Sequence, residues 1–290
     1  MIARETFVVR LGLPKGRMEQ GINRLLADAG VQIHLGSRAY RPGLSLENFS
    51  AKILKPQNIV EMLHVGSRDV GFAGADWVAE LKADVVELLD TRLDPVRLVA
   101  AAPAELLHDN MLPPIPLLVA SEFEFLTTQW LRSKSLNARV VRTYGATEVF
   151  PPEDADFITD IAASGATLAA NGLVVFDELM KSSTRLYASP QALDDPRRRE
   201  SIDEFVMLLK SVLEARSRVM LEVNVSAQDF EGLVAILPCM REPTVSRLHG
   251  DAGFAVKVAV LRAELHRLIP EVKRRGGTDI VVSSLTQIVP

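Results

Sequence analysis

Short strand-like runs alternate with helix-like stretches before residue 217, and this alternation restricts the fold more than any other feature. Apolar runs of strand length lie at 7–13, 51–54, 70–72, 85–89, 97–102 and 116–120. Helical periodicity lies at 18–29, 59–66, 123–134 and 202–216. Strands separated by helices are typical of βαβ units and a largely parallel sheet. We therefore expect two α/β lobes around a cleft, with one continuous sheet as the alternative.

The residues after 216 follow a different pattern. Strand-like segments are predicted at 219–225, 244–248, 254–260 and 279–283. Helices are predicted from the N-cap candidate Ser226 to residue 236, and from 262 towards 275. The order β-α-β-β-α-β is that of the ferredoxin-like split unit. We expect a small separate module at this end of the chain.

Composition limits the classes of function. Lys and Arg number 33 against 37 Asp and Glu, so the formal charge of −4 gives no sign of a nucleic-acid surface. Cys239 is the only cysteine, which excludes a disulfide within the chain and a metal site built from cysteines. Neither a signal-peptide pattern nor a membrane-spanning apolar run is found, so we expect a cytoplasmic protein.

The segment 156–168 suits a sugar phosphate. A strand-like run carrying Asp156 and Asp160 leads into a turn of small residues. Gly165 relaxes the backbone so that N–H groups can surround phosphate oxygens, and Ser164 and Thr167 add hydroxyls. The two carboxylates can hold ribose hydroxyls or a Mg²⁺ that arrives with the ligand. A strand–turn–helix connection with capping residues is the alternative.

Three further segments carry residues that suit phosphates or a purine. Lys15, Gly16 and Arg17 follow the first predicted strand, where open α/β sheets bind ligands. Gly74 and Asp76 follow a second strand end, although Asp76 also fits a simple helix cap. The segment 38–41 combines two guanidinium groups with an aromatic ring, and its members are Arg38, Tyr40 and Arg41.

The five histidines have no metal-ligand spacing, and the sequence contains neither a nucleophile elbow nor a Walker-type loop. Covalent catalysis and a resident protein-bound metal are therefore not indicated.

Taken together, these motifs resemble the long form of the ATP phosphoribosyltransferase family of histidine biosynthesis. The similarity covers nearly the whole chain and includes the segments 13–17, 54–59, 69–76, 155–168 and 171–173. The C-terminal segments 224–225, 237–238, 243–245 and 277–280 are similar to the regulatory domain of long forms. Each motif is moderately specific, whereas their order and joint presence are highly specific.

The resemblance implies a fold and an activity. The fold is a two-lobed, periplasmic-binding-protein-like catalytic body with a C-terminal ferredoxin-like regulatory domain. The expected boundaries are 1–95 plus about 181–216 for lobe I, 96–180 for lobe II and 217–290 for the regulatory domain. The enzyme would transfer the 5-phosphoribosyl group of phosphoribosyl pyrophosphate to N1 of ATP with Mg²⁺ present. Histidine would inhibit it, and the assembly would be a homo-hexamer built from dimers.

The resemblance also implies residue roles. The 5-phosphate would be held by Ser164, Gly165, Ala166, Thr167 and Leu168. Asp156 and Asp160 would face the ribose and the metal, whereas Lys15, Gly16 and Arg17 would lie near the pyrophosphate or nucleotide phosphates. The ATP side would include Arg38, Tyr40, Arg41, Gly74 and Asp76.

The chain departs from the family pattern at a few positions. Ser164 stands where an acidic residue or threonine is usual, and Lys55 and Asn58 replace the common Arg and Asp. These changes leave three alternative functions open. They are a phosphoribosyltransferase for another base, a two-lobed small-molecule sensor without catalysis, and an assembly protein.

Overall fold

The protein is described by a computed structural model that covers residues 7–35, 40–240 and 242–289. Its contacts divide it into two compact units, of which the first contains residues up to 27 and 31–203. The second contains residues 28–30 and 204 onwards. Among the described residues, no helix is long and apolar enough to cross a membrane.

The described residues of the first unit form ten strands. They are β1 (Val9–Pro14), β2 (Ile33–His34), β3 (Gly43–Leu44), β4 (Phe49–Leu54), β5 (Val70–Gly74), β6 (Val86–Pro103), β7 (Leu117–Ser121), β8 (Ala138–Arg142), β9 (Phe157–Ala162) and β10 (Leu173–Ala188).

Its helices are α1 (Glu19–Asp28), α2 (Pro56–His64), α3 (Ala75–Leu81), α4 (Glu124–Ser133), α5 (Ala166–Ala170) and α6 (Pro190–Asp194). The next helix, α7 (Pro196–Ser217), begins in the first unit and ends in the second.

Eight strands form one continuous sheet in the order β4-β1-β5-β10-β6-β9-β7-β8. The three strands on each side of the sheet are parallel to one another. On one side β1 pairs with β4 and β5, and on the other β7 pairs with β8 and β9. Every pair that involves the long strands β6 and β10 is antiparallel. The expected two-lobed fold class is confirmed, and the two lobes are joined through hydrogen bonding that runs across all eight strands.

The separate strands expected at 85–89 and 97–102 are one strand, β6. Its middle is irregular, because Arg92 and Asp94 have φ angles of 56° and 48° and the register with β10 shifts there. The predicted lobe boundary near residues 93–95 lies within this irregular stretch. The boundaries of the lobes themselves stay a prediction.

The second unit is built on the predicted β-α-β-β-α-β order. Its elements are β11 (Arg218–Val225), α8 (Phe230–Val234), β12 (Thr244–Arg247), β13 (Phe254–Leu261), α9 (Leu265–Arg274) and β14 (Thr278–Ser284). The sheet order β12-β13-β11-β14 is antiparallel throughout, which confirms the ferredoxin-like class. Alternate residues of β11 are buried against α8 and α9 through side chains such as Leu233 and Val272.

The two lobes of the first unit also meet through helices α3 and α4. Glu80 of α3 accepts hydrogen bonds from the first-turn amides of Phe125 and Leu126 at 2.8 and 2.9 Å. Beside it, the rings of Trp77 and Phe123 lie 4.6 Å apart. Because the N-cap residue of α4 makes no side-chain cap of its own, α3 supplies the missing acceptors.

Replacing Glu80 by alanine should therefore lower the free energy of unfolding by about 1 kcal/mol, because two amides at the start of α4 lose their acceptors. Urea denaturation measures this change. Glu61→Ala removes an exposed carboxylate from α2 and serves as the control, with little expected effect. Equal stabilities of the two variants would contradict the capping role.

Candidate functional site

The predicted phosphate loop lies where β9 ends and α5 begins. Together with Asp160 and Glu148, residues 161–168 line a cavity of about 280 Å³. Gly165 has a φ of 80°, which an L side chain adopts only with strain. Since this residue precedes α5, the loop presents the first amides of the helix, which have no acceptor within the helix itself. Such a loop is well suited to hold a phosphate.

Asp160 stands at the entrance of this loop and is largely withdrawn from solvent. Its Oδ1 accepts a hydrogen bond from the Ile161 amide at 2.7 Å. Burial, together with the charges of Glu148 and Glu122, raises its pKa to about 6 against the lowering effect of that hydrogen bond. A desolvated carboxylate of this kind attracts positive charge strongly once it is ionised.

Asp156 does not reach the loop. It precedes β9 at the opposite, amino end of the strand, and its Oδ2 accepts a hydrogen bond from the Leu118 amide at 2.6 Å. The carboxylate thereby joins the starts of β7 and β9. The two aspartates that share a face in the sequence pattern are thus separated along the strand, because each residue of a strand advances the chain by about 3.3 Å.

The basic segment 15–17 follows the carboxyl end of β1, as predicted. The ammonium group of Lys15 lies 5.6 Å from the centre of the Tyr40 ring. Gly16 has a φ of 84°, and the exposed Arg17 donates a hydrogen bond to the carbonyl of Asp94 at 3.1 Å. The structure therefore brings Lys15 and Tyr40 together and leaves the guanidinium group of Arg17 at the surface.

Gly74 ends β5, and Asp76 follows it as a fully buried residue. Its Oδ1 accepts a hydrogen bond from the Trp77 amide at 2.8 Å, and its own amide donates to the Ser182 hydroxyl at 3.1 Å. Among the described residues, its Oδ2 has no hydrogen-bond partner. Burial raises the pKa of this carboxyl group, against the attraction of Arg17. Asp76 is not the N-cap of α3, because that position is held by Gly74, and its carboxylate instead accepts a hydrogen bond within the first turn.

The segment 38–41 is only partly described. Arg38 lies outside the described residues. Arg41 is exposed and lies near Lys52 and Arg68, since its charge lowers the pKa of both. It is therefore grouped with other cations and not with Lys15.

Two acidic residues near Asp160, Glu122 and Glu148, were not predicted from the sequence. Glu122 is the more informative of the two. It follows the carboxyl end of β7, and burial raises its pKa, whereas Lys55 and Arg142 favour its charged form. Lys55 follows the end of β4, so charges from both lobes meet here. The strand-end rule would have found Glu122 and Lys55. Glu148 lies between β8 and β9 and carries no such signal.

The described residues contain no cluster of three or more His, Cys, Asp or Glu side chains that could hold a metal ion by themselves. Asp160 remains as a carboxylate that can contact a Mg²⁺ bound to a phosphate ligand. The donor set thus fits an ion that arrives with its ligand.

Asp160→Asn should be more stable than the parent at pH 7, by about 1 kcal/mol after allowance for solvent screening. The pKa of about 6 in the folded state lies above the ordinary value of 3.8. Unfolding therefore releases a proton between these values, and the parent loses stability as the pH rises through them. Urea denaturation from pH 4 to 7 measures the difference. Glu105→Gln, at an exposed position, should follow the parent, and identical pH dependence of all three proteins would contradict the buried charge.

The sequence of the chain is similar to those of known proteins along nearly its whole length. Residues 55–211 match the family model "HisG: ATP phosphoribosyltransferase", and residues 215–287 match "HisG, C-terminal domain". An ATP phosphoribosyltransferase of Pelotomaculum thermopropionicum is 35% identical over 97% of this chain and 99% of its own length. A relative of the same name from Chlorobium chlorochromatii is 33% identical over 99% of this chain and 100% of its own.

A solved structure titled as the ATP phosphoribosyl transferase (HisG:HisZ) complex from Thermotoga maritima is 25% identical. It superposes with a TM-score of 0.63 over 71% of this chain and 99% of that chain. Family models and relatives therefore agree over both units. The chain belongs to the ATP phosphoribosyltransferase family, in the long form that carries the C-terminal domain.

Proposed function

We propose that this protein is an ATP phosphoribosyltransferase that carries out the first step of histidine biosynthesis in the cytoplasm. It transfers the 5-phosphoribosyl group of phosphoribosyl pyrophosphate to N1 of the adenine of ATP. The observation that carries the proposal is the 161–168 loop with the desolvated Asp160 at its entrance. Family membership supplies the identities of the two substrates.

Adenine N1 is already a nucleophile, so the reaction needs no catalytic serine or cysteine. The bond from N1 to C1′ forms while the bond from C1′ to the pyrophosphate oxygen breaks. Positive charge develops on the ribose ring and negative charge on the leaving group. The protein then contributes through position and electrostatics.

The proposed role of each loop residue depends on its position. The amides and hydroxyls of residues 164–168, from Ser164 and Gly165 to Ala166, Thr167 and Leu168, hold the 5-phosphate. Asp160 faces the ribose, where its ionised carboxylate stabilises the positive ring. We assign Asp156 to the fold, because its carboxylate is already held by the Leu118 amide.

The leaving group requires positive charge. Lys15 and Arg17, after β1, and Lys55, after β4, are the cations at the strand ends that would attract pyrophosphate. Mg²⁺ bound to pyrophosphate would supply further neutralisation of its charge, with Asp160 as the nearby protein carboxylate. The nucleotide side would involve Gly16, Tyr40 and the turn from Gly74 to Asp76.

The test is direct. Purified protein is incubated with phosphoribosyl pyrophosphate, ATP, Mg²⁺ and pyrophosphatase, and phosphoribosyl-ATP is sought by mass spectrometry. GTP in place of ATP tests an alternative base. Asp160→Asn and Arg17→Ala should each lower kcat/KM by about tenfold or more, since each removes a charge-assisted contact. Turnover of the parent should also fall below about pH 6, as Asp160 becomes protonated.

Asp156→Asn is the matched control, because it changes the same chemical group immediately before the strand that carries Asp160. It should lower stability and leave kcat of the folded enzyme near that of the parent. An Asp156→Asn variant as inactive as Asp160→Asn would contradict the division of roles. Absence of product from the parent under all conditions would contradict the transferase itself.

We propose further that histidine inhibits the enzyme through the C-terminal unit. A cavity of about 440 Å³ lies on its sheet, and its polar lining includes Glu222, Asn224, Ser246, Lys257 and Asp279. Lys257 lies 3.1 Å from Glu222, and the Asn224 amide donates to Asp279 at 3.0 Å. Opposite charges at this spacing suit the ammonium and carboxylate groups of an amino acid.

Histidine should therefore inhibit product formation, and Asp279→Asn should weaken histidine binding about tenfold, because one charged acceptor is lost. Calorimetric titration with histidine measures the affinity, and Glu264→Gln, on the same unit, is the control. Unchanged affinity in Asp279→Asn would exclude this cavity as the site. The proposed homo-hexamer built from dimers is checked by sedimentation velocity with and without histidine.

A further inference from the structure

Two cationic side chains of the first unit contact a single buried carboxylate, that of Asp69, which is 1% exposed, and three more lie on or beside the neighbouring strands β4, β1 and β5. They come from separate parts of the chain, and the chain as a whole carries a formal charge of −4. This group, called the basic cluster below, consists of Arg10, Arg41, Lys52, Arg68 and Arg198.

The negative charge of Asp69 is already committed to two members of the basic cluster. Arg10 holds it through Nη2 at 2.7 Å from Oδ1 and through Nε at 2.9 Å from Oδ2. The Nη1 of Arg198 lies 3.6 Å from Oδ1 of Asp69, and its Nε lies 3.7 Å from Oδ2 of Asp195. Little negative charge is therefore left for the other three cations.

The other three cations, Arg41, Lys52 and Arg68, lie on neighbouring parts of the sheet, since β1 pairs with both β4 and β5. Arg68 directly precedes Asp69, and Lys52 belongs to β4. The Ile53 amide donates to the Tyr40 carbonyl at 3.1 Å, which places Arg41 beside Lys52.

Within the described residues, the ion pairs of the basic cluster involve two carboxylates, those of Asp69 and Asp195. Arg68 and Arg41 lower the pKa of Lys52. Burial, Arg10 and Arg41 lower the pKa of Arg68, and Asp69 alone opposes them. The basic cluster therefore carries uncompensated positive charge.

Protection of a sheet edge explains only part of this arrangement. β4 is the outer strand of the eight-stranded sheet, where one lysine discourages pairing with another chain. Arg10 lies on β1, however, and Arg68 lies just before β5. Cations gathered across three neighbouring strands exceed what the edge requires.

We propose that the basic cluster is a second anion site, which binds a di- or triphosphate group. Guanidinium groups form paired hydrogen bonds with phosphate oxygens, and Lys52 adds a point charge. The phosphate group is either free or carried by a nucleotide. The site is separate from the 161–168 loop, since Asp69 lies before the amino end of β5 and the loop follows the carboxyl end of β9.

Calorimetric titration with inorganic triphosphate at low salt tests the proposal. The parent should bind two equivalents per chain, one at the proposed active site and one at the basic cluster. Lys52→Gln/Arg68→Gln should retain only the active-site equivalent. The active-site variant Arg17→Ala/Lys55→Gln/Thr167→Glu, which removes two cations and adds a carboxylate at an exposed loop position, should retain only the cluster equivalent. Among the described residues, the side chains of Lys52 and Arg68 make no hydrogen bond, so the double variant should stay folded.

Arg132→Gln/Arg139→Gln is the matched control, because it removes two exposed cations elsewhere in the first unit. It should bind two equivalents. Affinity at the cluster should fall by about tenfold or more between 50 and 500 mM salt, as for any solvent-exposed ionic site. Tighter binding of ADP than of triphosphate by the active-site variant identifies a nucleotide, and the reverse identifies the free phosphate chain.

Two results would overturn the inference. One is a parent that binds a single equivalent, which the active-site variant abolishes. The other is a Lys52→Gln/Arg68→Gln variant that still binds two equivalents with the parent's affinities. Phosphoribosyl transfer by the variants is measured in parallel, so that loss of the cluster site and loss of the proposed enzymatic function are distinguished.

Discussion

The pairing of β6 with β10 is the constraint on which the first unit depends. The two strands pair antiparallel from Leu173 opposite Pro103 to Ala188 opposite Val86, with shifts where the chain bends. Along this ladder, β10 reaches β5 in one lobe, and β6 reaches β9 in the other. The strands of both lobes are therefore attached to the same pair, and this pair sets where the carboxyl ends of the outer parallel strands lie.

The chemistry of the site follows from those strand ends. Asp160 and the predicted phosphate loop lie at the carboxyl end of β9, and Glu122 follows β7. Lys15 follows β1, and Lys55 follows β4. Burial makes the carboxylates costly to ionise in the free protein, and bound cations or a positive ribose ring would relieve that cost. A site of this kind is less stable empty than filled, which links the stability expected for Asp160→Asn to its expected loss of activity.

Much of the fold was predictable, and the failures have physical causes. The strand at 70–72, the helix at 123–134 and the β-α-β-β-α-β order at the C-terminus were recognised because their periodicity is local. β10 was missed, because its sixteen residues include charged and hydroxyl side chains that pack only against strands distant in sequence. β6 was divided into two strands, because its irregular middle contains Pro95, which sequence patterns treat as a break.

The features of the candidate site also divide into those that the sequence predicted and those that it missed. The sequence by itself determined the α/β class, the ferredoxin-like unit and the phosphate loop, since Gly165, its hydroxyl neighbours and the preceding strand are contiguous. Only the tertiary structure showed that the Asp156 carboxylate accepts a hydrogen bond from the Leu118 amide while Asp160 lines the loop cavity, and that the charge of Lys55 acts on Glu122. It alone brought Arg10 and Arg198 into contact with Asp69. The reason is that charge, burial and pKa depend on neighbours distant along the chain, which strand pairing brings together.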